Sequence, residues 1–395
     1  MINDIQNKAK RSFIEIGYPG KESEDWKYTN TDKFSKCIPF NRNIILKDSN
    51  AFLIDGSINI VIQNGKVINN QNDNIDGLTI IQLDESYSHE AFKNFLKISD
   101  YSRNGVVAHN TAEFEDAVHI SIDKNFDSKT PINIIELSSR MKNNEIIFPR
   151  IYVHMEHHSS AKLYLRQLDN ESHGLTNSVF EFYCEDSSSL EVVHTNESKN
   201  QKTISSLYFV QEDNSNIKFL STSFGSDLYR SNINIDINGN NCFNDFGVIM
   251  LGEDKNHIDY HVNMNHNQSN SISNFLCRSM LTGRAKGFFN GKIFVNEDAS
   301  CTDATLNNNN LLLSDTSSMQ SNPQLEINCE DVKCSHGSTT GNLDQDSLFY
   351  IQSRGIPQSK AKQMLIKAFT TKLLDNHNCE LLSIDQRVQE WIERI

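Results

Sequence analysis

The chain has few basic residues and no long apolar run. It carries 37 lysines and arginines against 51 acidic residues, which gives a formal net charge of −14. An acidic chain without a basic stripe is not expected to bind nucleic acid or an anionic membrane surface. No segment approaches the roughly 20 apolar residues of a membrane span, and the first residues lack the apolar stretch of a signal peptide. We therefore expect a cytoplasmic protein with no nucleic acid or membrane partner.

Several chemistry-bearing motifs are also missing. Eight cysteines are scattered over 395 residues and no two of them form a Cys-x-x-Cys pair, which is unlike the dense disulfide framework of a short secreted chain. The sequence has no Gly-x-x-x-x-Gly-Lys-Ser/Thr loop, no Gly-x-Gly-x-x-Gly after a strand and no Gly-x-Ser-x-Gly elbow. The chain is therefore not itself a P-loop ATPase, and its thiols are expected to be reduced.

A crude repeat of polar turns runs through the middle of the chain, from about residue 117 to residue 333. Turns rich in asparagine, which tolerates left-handed backbone, begin 26 to 31 residues apart, at Glu156, Glu185, Glu212, Asn238, Asn265 and Asn296. About two strand-like segments per unit, with no helix between them, is the pattern of a β-solenoid, whose units bury their apolar faces by stacking. A large β-sandwich is the alternative, but it would show no steady period.

Helical patterns flank this β region. Apolar residues at helical spacing predict a helix that ends near Gly17, and short apolar runs between residues 44 and 83 predict strands. A further short helix is expected from about Ser88 to Asp100. Beyond residue 340, Asp344 is a candidate N-cap for the first of three helices. We predict a mixed helical region at 1–105, a β core at 106–338 and a helical domain at 339–395.

A pair of soft-metal ligands stands where the β region gives way to the C-terminal helices. On an extended backbone, positions i and i+2 project to the same side, so Cys334 and His336 can point at one atom. A thiolate and an imidazole are half of a ligand set for zinc or iron. Cys301 and Cys329 are further thiols, but sequence separation does not give their distance from the pair. The position of the pair at the junction makes it the candidate functional site.

Two His-x-acid-x-His patterns are further candidate ligand sets, one at residues 154–158 and one at residues 257–261. On strands, each pattern would set three ligand-type side chains on one face. A polar outer face of a solenoid is the simpler interpretation of both patterns, and it is the one we favour.

Many stretches of the sequence resemble the SufB/SufD family of iron–sulfur cluster assembly proteins. In chain order they are Gly287–Val295, Thr302–Ala304, Asn310–Asp315, Pro323–Ile327, Asp331–Gly337, Leu348–Tyr350 and Ser353–Ile356. Asn110–Ala112 with Asp116 is similar to the same family, and Glu24–Thr29 resembles the SufD branch in particular.

The residues around His336 favour the SufD branch as well. A SufB-like chain usually carries a glutamate on each side of this histidine, whereas Ser335 and Gly337 stand here. The sequence departs from the family pattern at Cys301, which replaces the basic residue that commonly precedes the Thr-Asp-Ala run.

The resemblance implies a mainly β fold, with a right-handed parallel β-helix (solenoid) core between helical N-terminal and C-terminal regions. It implies a scaffold rather than an enzyme, in a SufBCD-type complex for iron–sulfur cluster assembly. The expected partners are a SufB-like paralogue and a SufC-like ATPase, which would carry the nucleotide site that this chain lacks, and a homodimer is possible in isolation. We expect no cofactor bound tightly by the chain alone, and transient iron or a nascent cluster at the partner interface.

The resemblance also implies roles for particular residues. The family histidine that matches His336 lies at the SufB–SufD interface, so His336 is the favoured metal ligand and Cys334 is the second choice. The ATPase is expected to dock on the C-terminal helices, with these partner-binding residues: Leu348, Phe349, Tyr350, Arg354, Gly355 and Ile356.

A polysaccharide-active β-helix enzyme is the alternative from another class, and an adhesive β-helix protein is a third. Such an enzyme needs carboxylates clustered in a groove, which a single sequence neither shows nor excludes. The missing signal peptide and the C-terminal helices count against both.

Overall fold

The computed structural model describes residues 2–41, 52–70, 75–83, 95–377 and 380–395. The helices are α1 (Ile2–Ile16), α2 (Asp32–Ser35), α3 (Gly105–Glu113), α4 (Gln345–Ser353), α5 (Gln358–Asn376) and α6 (Ile384–Arg394), with short 3₁₀ helices at Glu24–Trp26 and Glu380–Leu382. None of the helices in these ranges is long and apolar enough to cross a membrane.

The described residues form 21 strands. They are β1 (Ile38–Pro39), β2 (Ile58–Gln63), β3 (Lys66–Asn70), β4 (Leu78–Leu83), β5 (Ala117–Ile122), β6 (Ile132–Ser139), β7 (Glu145–Ile147), β8 (Arg150–Met155), β9 (Ser160–Asn170), β10 (Leu175–Cys184), β11 (Ser189–Asn196), β12 (Lys202–Gln211), β13 (Asn216–Ser223), β14 (Leu228–Ile237), β15 (Phe243–Gly252), β16 (His257–His266), β17 (Ile272–Leu281), β18 (Lys286–Val295), β19 (Thr302–Leu312), β20 (Ser318–Ile327) and β21 (Val332–Gly341).

These strands form two facing sheets of a parallel solenoid. Sheet I has the order β20-β18-β16-β14-β12-β10-β8-β5-β4, and sheet II has the order β21-β19-β17-β15-β13-β11-β9-β6-β2-β3. From β5 and β6 onward, each turn contributes one strand to each sheet and pairs in parallel with the turn before it, which gives eight turns. The prediction of a β-solenoid is confirmed, and the sandwich alternative is wrong.

The asparagine-rich turns have a single conformational cause. In each repeated turn one residue adopts a positive φ, between 57° and 63°, where the chain reverses from one sheet to the other: His158, Ser187, Asn214, Asn241, Asn270 and Cys301. Asparagine is among the few residues with a side chain that accept this conformation readily. Cys301 therefore occupies the left-handed position of its turn, and it is exposed there.

The two ends of the solenoid differ. At the N-terminal end, β3 pairs antiparallel with β2, and β4 pairs antiparallel with β5, so short strands cover the first turn. The C-terminal helices do not cover the other end. Instead, Ile366 and Leu373 of α5 and Trp391 of α6 are buried against the outer face of sheet II. These apolar side chains of α5 and α6 are therefore covered within the chain.

Local sequence features mark the start and the end of α4, the first C-terminal helix. The side chain of Asp344 accepts a hydrogen bond from the backbone N–H of Ser347 at 3.0 Å, as an N-cap does. Gly355, with φ of 85°, follows the end of α4. The helix expected at Ser88–Asp100 lies partly outside the described residues, and its described part, from residue 95, forms turns instead.

The solenoid interior is not wholly apolar. Glu136 on β6 is fully buried and accepts hydrogen bonds from Ser178 Oγ at 2.8 Å and Gln167 Nε2 at 3.1 Å. The amide oxygen of Gln167 in turn lies 3.1 Å from His194 Nε2 and accepts from Ser205 Oγ at 2.9 Å. Burial raises the pKa of Glu136 to about 7, and the two hydrogen bonds to it only partly offset that rise. Burial also lowers the pKa of His194 to about 3.

The raised pKa of Glu136 predicts that the chain loses stability as the pH rises. Between the ordinary value of 4.5 and about 7, the folded state holds a proton that the unfolded state has released, so the free energy of unfolding falls as pH increases. At about 1.4 kcal/mol per pKa unit, Glu136→Gln should remove about 2 to 3 kcal/mol of the loss between pH 5 and pH 8. Urea unfolding at the two pH values measures this difference. Glu171→Gln, at an exposed glutamate, is the control, and an unchanged pH dependence in Glu136→Gln would contradict the assignment.

Candidate functional site

The solenoid stops at two strands that each pair on one side only. Sheet I ends at β20 and sheet II ends at β21, and no strand of the described residues lies against their outer edges. Both strands are ten residues long. We call these two strands, β20 and β21, the open end.

The register of β21 places the candidate ligands on the inward face of the open end. Cys334 pairs with Ala304 and His336 pairs with Leu306, and both of these β19 residues are buried in the solenoid core. Residues paired in parallel strands point to the same face, so Cys334 and His336 continue the two interior rows. Cys334 is half-buried against the core, whereas His336 is exposed because no further turn covers it.

The sequence of β20 suits a strand at the edge of a sheet. Pro323 stands in the middle of β20, and proline within a sheet is tolerated at an edge strand because it has no N–H to donate. A hydrogen bond of 2.9 Å from Ser338 Oγ to Ser321 Oγ links β21 to β20 across the open end. The last turn is thus held together without a following one.

Cys334 and His336 do not make a complete metal site by themselves. No group of three or more histidine, cysteine, aspartate or glutamate side chains is placed to hold a metal ion among the described residues. Burial raises the pKa of the Cys334 thiol, so a metal must displace a proton to bind this sulfur. We call this pair the candidate half-site, because a metal held there would need further ligands from outside the described residues.

The other two thiols near the open end lie in turns. Cys301 Sγ lies 3.4 Å from Asp331 Oδ2, and this carboxylate raises the pKa of the thiol. Cys329 is partly buried against the core in the turn between β20 and β21.

The first His-x-acid-x-His pattern does not form a ligand set. His154 lies on β8, whereas Glu156 and His158 lie in the turn that follows. His154 Nε2 is 2.8 Å from Glu185 Oε1, and His157 Nε2 is 3.1 Å from Glu185 Oε2. These side chains pair with a neighbouring turn at the surface, in keeping with the polar-face interpretation.

The second pattern is built around a buried ion pair. Asp259 and Arg230 are fully buried, with Arg230 Nη1 2.8 Å from Asp259 Oδ2, and His261 Nε2 lies 3.1 Å from Asp259 Oδ1. Burial alone would raise the pKa of Asp259, but Arg230 and His261 hold it well below its ordinary value. The hydroxyl of Thr29 also donates to this carboxylate. Asp259 therefore forms an ion pair with Arg230 and is not available as a metal ligand.

Arg230 also anchors the N-terminal segment. Its guanidinium lies 3.6 Å from the centroid of the Trp26 ring and donates to the backbone oxygen of Asp25 at 2.8 Å. The sequence alone does not reveal the Arg230–Asp259 pair, because an arginine in a strand of alternating polar and apolar residues is normally expected on the exposed face. The stretches 24–29 and 257–261, which contain residues that contact Arg230, are the sequence features that could have indicated the pair.

The residues expected to bind the ATPase partner divide into two groups. Phe349 and Tyr350 are 72% and 60% exposed on α4, and the Tyr350 hydroxyl accepts a hydrogen bond from Arg354 at 2.7 Å. Gly355 is exposed and Ile356 is partly exposed. Leu348 is only 4% exposed, so its side chain fixes α4 to the rest of the chain.

Residues 138–369 match the family described as SUF system FeS cluster assembly, SufBD core domain. This match covers more than half of the chain, including the open end and α4. The chain belongs to the SufBD family of iron–sulfur cluster assembly proteins. The resemblance of the sequence to this family is confirmed.

Individual relatives place the chain within the SufBD family. It is 35% identical over 151 residues to the iron–sulfur cluster assembly protein SufD of Escherichia coli, a match that covers 38% of this chain and 36% of that protein. It is 24% identical over 419 residues to a SufBD family protein of Synechocystis, covering 99% of this chain and 90% of that protein. It is 24% identical over 407 residues to the chloroplastic protein ABCI7 of Arabidopsis thaliana, covering 95% and 82%. The match to SufD supports the SufD branch.

Removing one member of the buried ion pair in this SufBD chain should be costly. Arg230→Met leaves the Asp259 carboxylate buried without its cation, so we expect the free energy of unfolding to fall by about 3 to 5 kcal/mol. The double variant Arg230→Met/Asp259→Leu should recover part of that loss. Urea unfolding measures both, with Arg394→Met, which breaks an exposed pair with Glu253, expected to cost less than about 1 kcal/mol. Equal losses for Arg230→Met and Arg394→Met would contradict this account.

Proposed function

We propose that this chain is a non-enzymatic scaffold subunit that pairs through its open end with a SufB-like chain and holds a nascent iron–sulfur cluster between the two. The observation that carries the proposal is that no strand of the described residues lies against the outer edges of β20 and β21, and that Cys334 and His336 lie on the inward side of β21.

Unpaired strand edges favour such a partner. Two ten-residue strands with free backbone donors and acceptors are a template for pairing with another chain, and proteins seldom leave such edges uncovered. A paralogue built on the same solenoid would offer two matching edges, so both sheets would continue across the interface. A second copy of this chain offers the same edges, which is consistent with a homodimer in isolation.

The side chains of the candidate half-site suit an iron–sulfur cluster. Thiolate and imidazole are both ligands of iron in proteins, and His336 lies where a partner strand would cover it. The cluster is substrate here, not a resident group, so the site must be able to release it. A site completed by two chains can do so. A shift of the interface separates the ligands and releases the cluster.

The exposed face of α4 supports an ATPase partner. Phe349 and Tyr350 form an exposed aromatic patch on a helix whose buried side is fixed by Leu348, and such patches mark protein interfaces. A SufC-like ATPase seated on this helix would supply the nucleotide site. Nucleotide binding there would bias the position of the open end, a coupling between sites on different chains.

His336→Ala should leave the fold intact and lower cluster formation in the assembled complex. Loss of a ligand typically weakens a metal site by more than the roughly 10- to 100-fold that an outer-shell change costs, so we expect at least a tenfold lower yield. Anaerobic reconstitution of the chain with its SufB-like partner, read by cluster absorbance, measures the yield. His173→Ala, at an exposed histidine on the turn before β10, is the matched control. An unchanged yield in His336→Ala would remove His336 from the ligand set.

Phe349→Asp should abolish recovery of the ATPase without loss of the SufB-like partner. A carboxylate in an apolar contact would have to be desolvated, and a central aromatic residue commonly contributes 2 kcal/mol or more to binding. Co-purification from tagged chain measures both partners at once. Ile14→Asp on α1, at a side chain that is 75% exposed, is the control. If Phe349→Asp still recovers the ATPase, the docking surface lies elsewhere.

A further inference from the structure

Two sequence patterns that the proposed function leaves unused meet at one cavity. The cavity has a volume of about 430 Å³ and lies between the N-terminal segment and the outer face of sheet I. We call it the edge cavity, and the residues that line it include Tyr28, His261, Phe288, Asn290, Gln320 and Asn322. Tyr28 belongs to the Glu24–Thr29 stretch, and His261 belongs to the His-x-acid-x-His pattern at 257–261.

Some side chains of the Glu24–Thr29 stretch attach it to the solenoid, and others line the edge cavity. Trp26 and Thr29 anchor it, through the Arg230 guanidinium and the Asp259 carboxylate. Glu24, Lys27 and Tyr28 line the edge cavity instead. The anchor thus fixes the position of the side chains that face the cavity.

The edge cavity reaches the open end. His261 lies on β16, Asn290 on β18 and Asn322 on β20, and these three residues are register partners across the last three strands of sheet I. A strand that pairs with β20 would lie about 4.8 Å beyond it and would turn alternate side chains to the same outer face. Two of those side chains would lie beside Gln320 and Asn322, at the border of the cavity.

We propose that the edge cavity receives an aromatic side chain with a hydrogen-bonding tip, of the tyrosine type, from the strand of the SufB-like chain that pairs with β20, and thereby favours that chain over a second copy. This inference rests on the proposed function, because it assumes strand pairing at the open end.

The lining matches that chemistry. The Tyr28 and Phe288 rings are stacked, with centroids 4.8 Å apart and planes 17° apart, and Tyr28 is 43% exposed. A further ring can extend this stack or meet its edge, which aromatic pairs favour. The carboxamides of Asn290, Gln320 and Asn322 supply donors and acceptors for a phenol hydroxyl. The cavity is larger than any single side chain, so the neighbour two residues along the partner strand also fits.

A second copy of this chain cannot supply that side chain from either edge strand. The sequences Ser-Met-Gln-Ser-Asn-Pro-Gln-Leu-Glu-Ile of β20 and Val-Lys-Cys-Ser-His-Gly-Ser-Thr-Thr-Gly of β21 contain no phenylalanine, tyrosine or tryptophan. Their single aromatic ring, that of His336, belongs to the inward face. In a homodimer the edge cavity would therefore meet only polar or charged side chains or glycine from these strands, whereas a paralogue is free to differ here.

Tyr28→Ala tests the inference through the balance between two dimers. We expect the dissociation constant with the SufB-like chain of the same organism to rise at least tenfold, as for a hot-spot aromatic residue, while the homodimer constant changes less than twofold. Analytical ultracentrifugation of the two full-length chains, mixed and separate, measures both constants. Ile38→Ala, at a side chain that is 54% exposed on β1, is the matched control and should change neither. Tyr28→Phe, which keeps the ring stack, should retain most of the affinity.

A photo-crosslinking residue at position 28 identifies what enters the edge cavity. We expect a cross-link to one strand of the SufB-like chain, at or next to an aromatic residue. A heterodimer that forms normally with Tyr28→Ala, an equal loss in both dimers, or a cross-link far from any aromatic residue would each overturn the inference and leave the proposed function standing. Failure of the wild-type chains to pair at all would overturn both.

Discussion

Parallel pairing between successive turns is the constraint on which the rest of this molecule depends. Once the strands of one turn lie in register with those of the next, each interior row is fixed along the whole solenoid, from the hairpins of the first turn to the open end. Cys334 faces inward because Ala304 does, and His336 because Leu306 does. The candidate metal half-site is therefore a product of register, and no side-chain contact of its own is needed to orient it.

The N-terminal segments are held to this solenoid by buried charges. Arg150 and Glu181 pair at 2.8 Å with no exposed surface, and Arg150 also donates to Asn110 Oδ1 and Thr111 Oγ1. Arg230 and Asp259 do the same for the segment around Trp26. Two of the stretches that resemble the SufBD family, at 110–112 and 24–29, thus attach to arginines of sheet I. An isolated pair of this kind is a poor source of stability, but it fixes a loop to one place on an otherwise repetitive surface.

The sequence predicts the solenoid because the period of its turns reflects the geometry of the fold. Each turn needs about the same number of residues to cross both sheets, and each repeated reversal needs a residue with a positive φ, which is asparagine in three of the six cases. The caps of α4 are equally local, and Asp344 and Gly355 show them. The sequence does not predict the buried pairs, because Arg230 and Asp259 are neighbours only through register and lie 29 residues apart. It also gives no reason to expect that Cys301 holds a left-handed turn or that Leu348 faces inward while Phe349 does not.

The stacking of equivalent turns has a consequence for how such chains can change in length. Within the two sheets, each interior turn pairs only with the one before and the one after it, so the sheets themselves allow a whole turn to be gained or lost. The distance along the stack from the first turn to Cys334 and His336 would then change in steps of about 4.8 Å. Because α5 and α6 pack across several turns of sheet II, each turn gained or lost would also have to be matched by new contacts of these two helices.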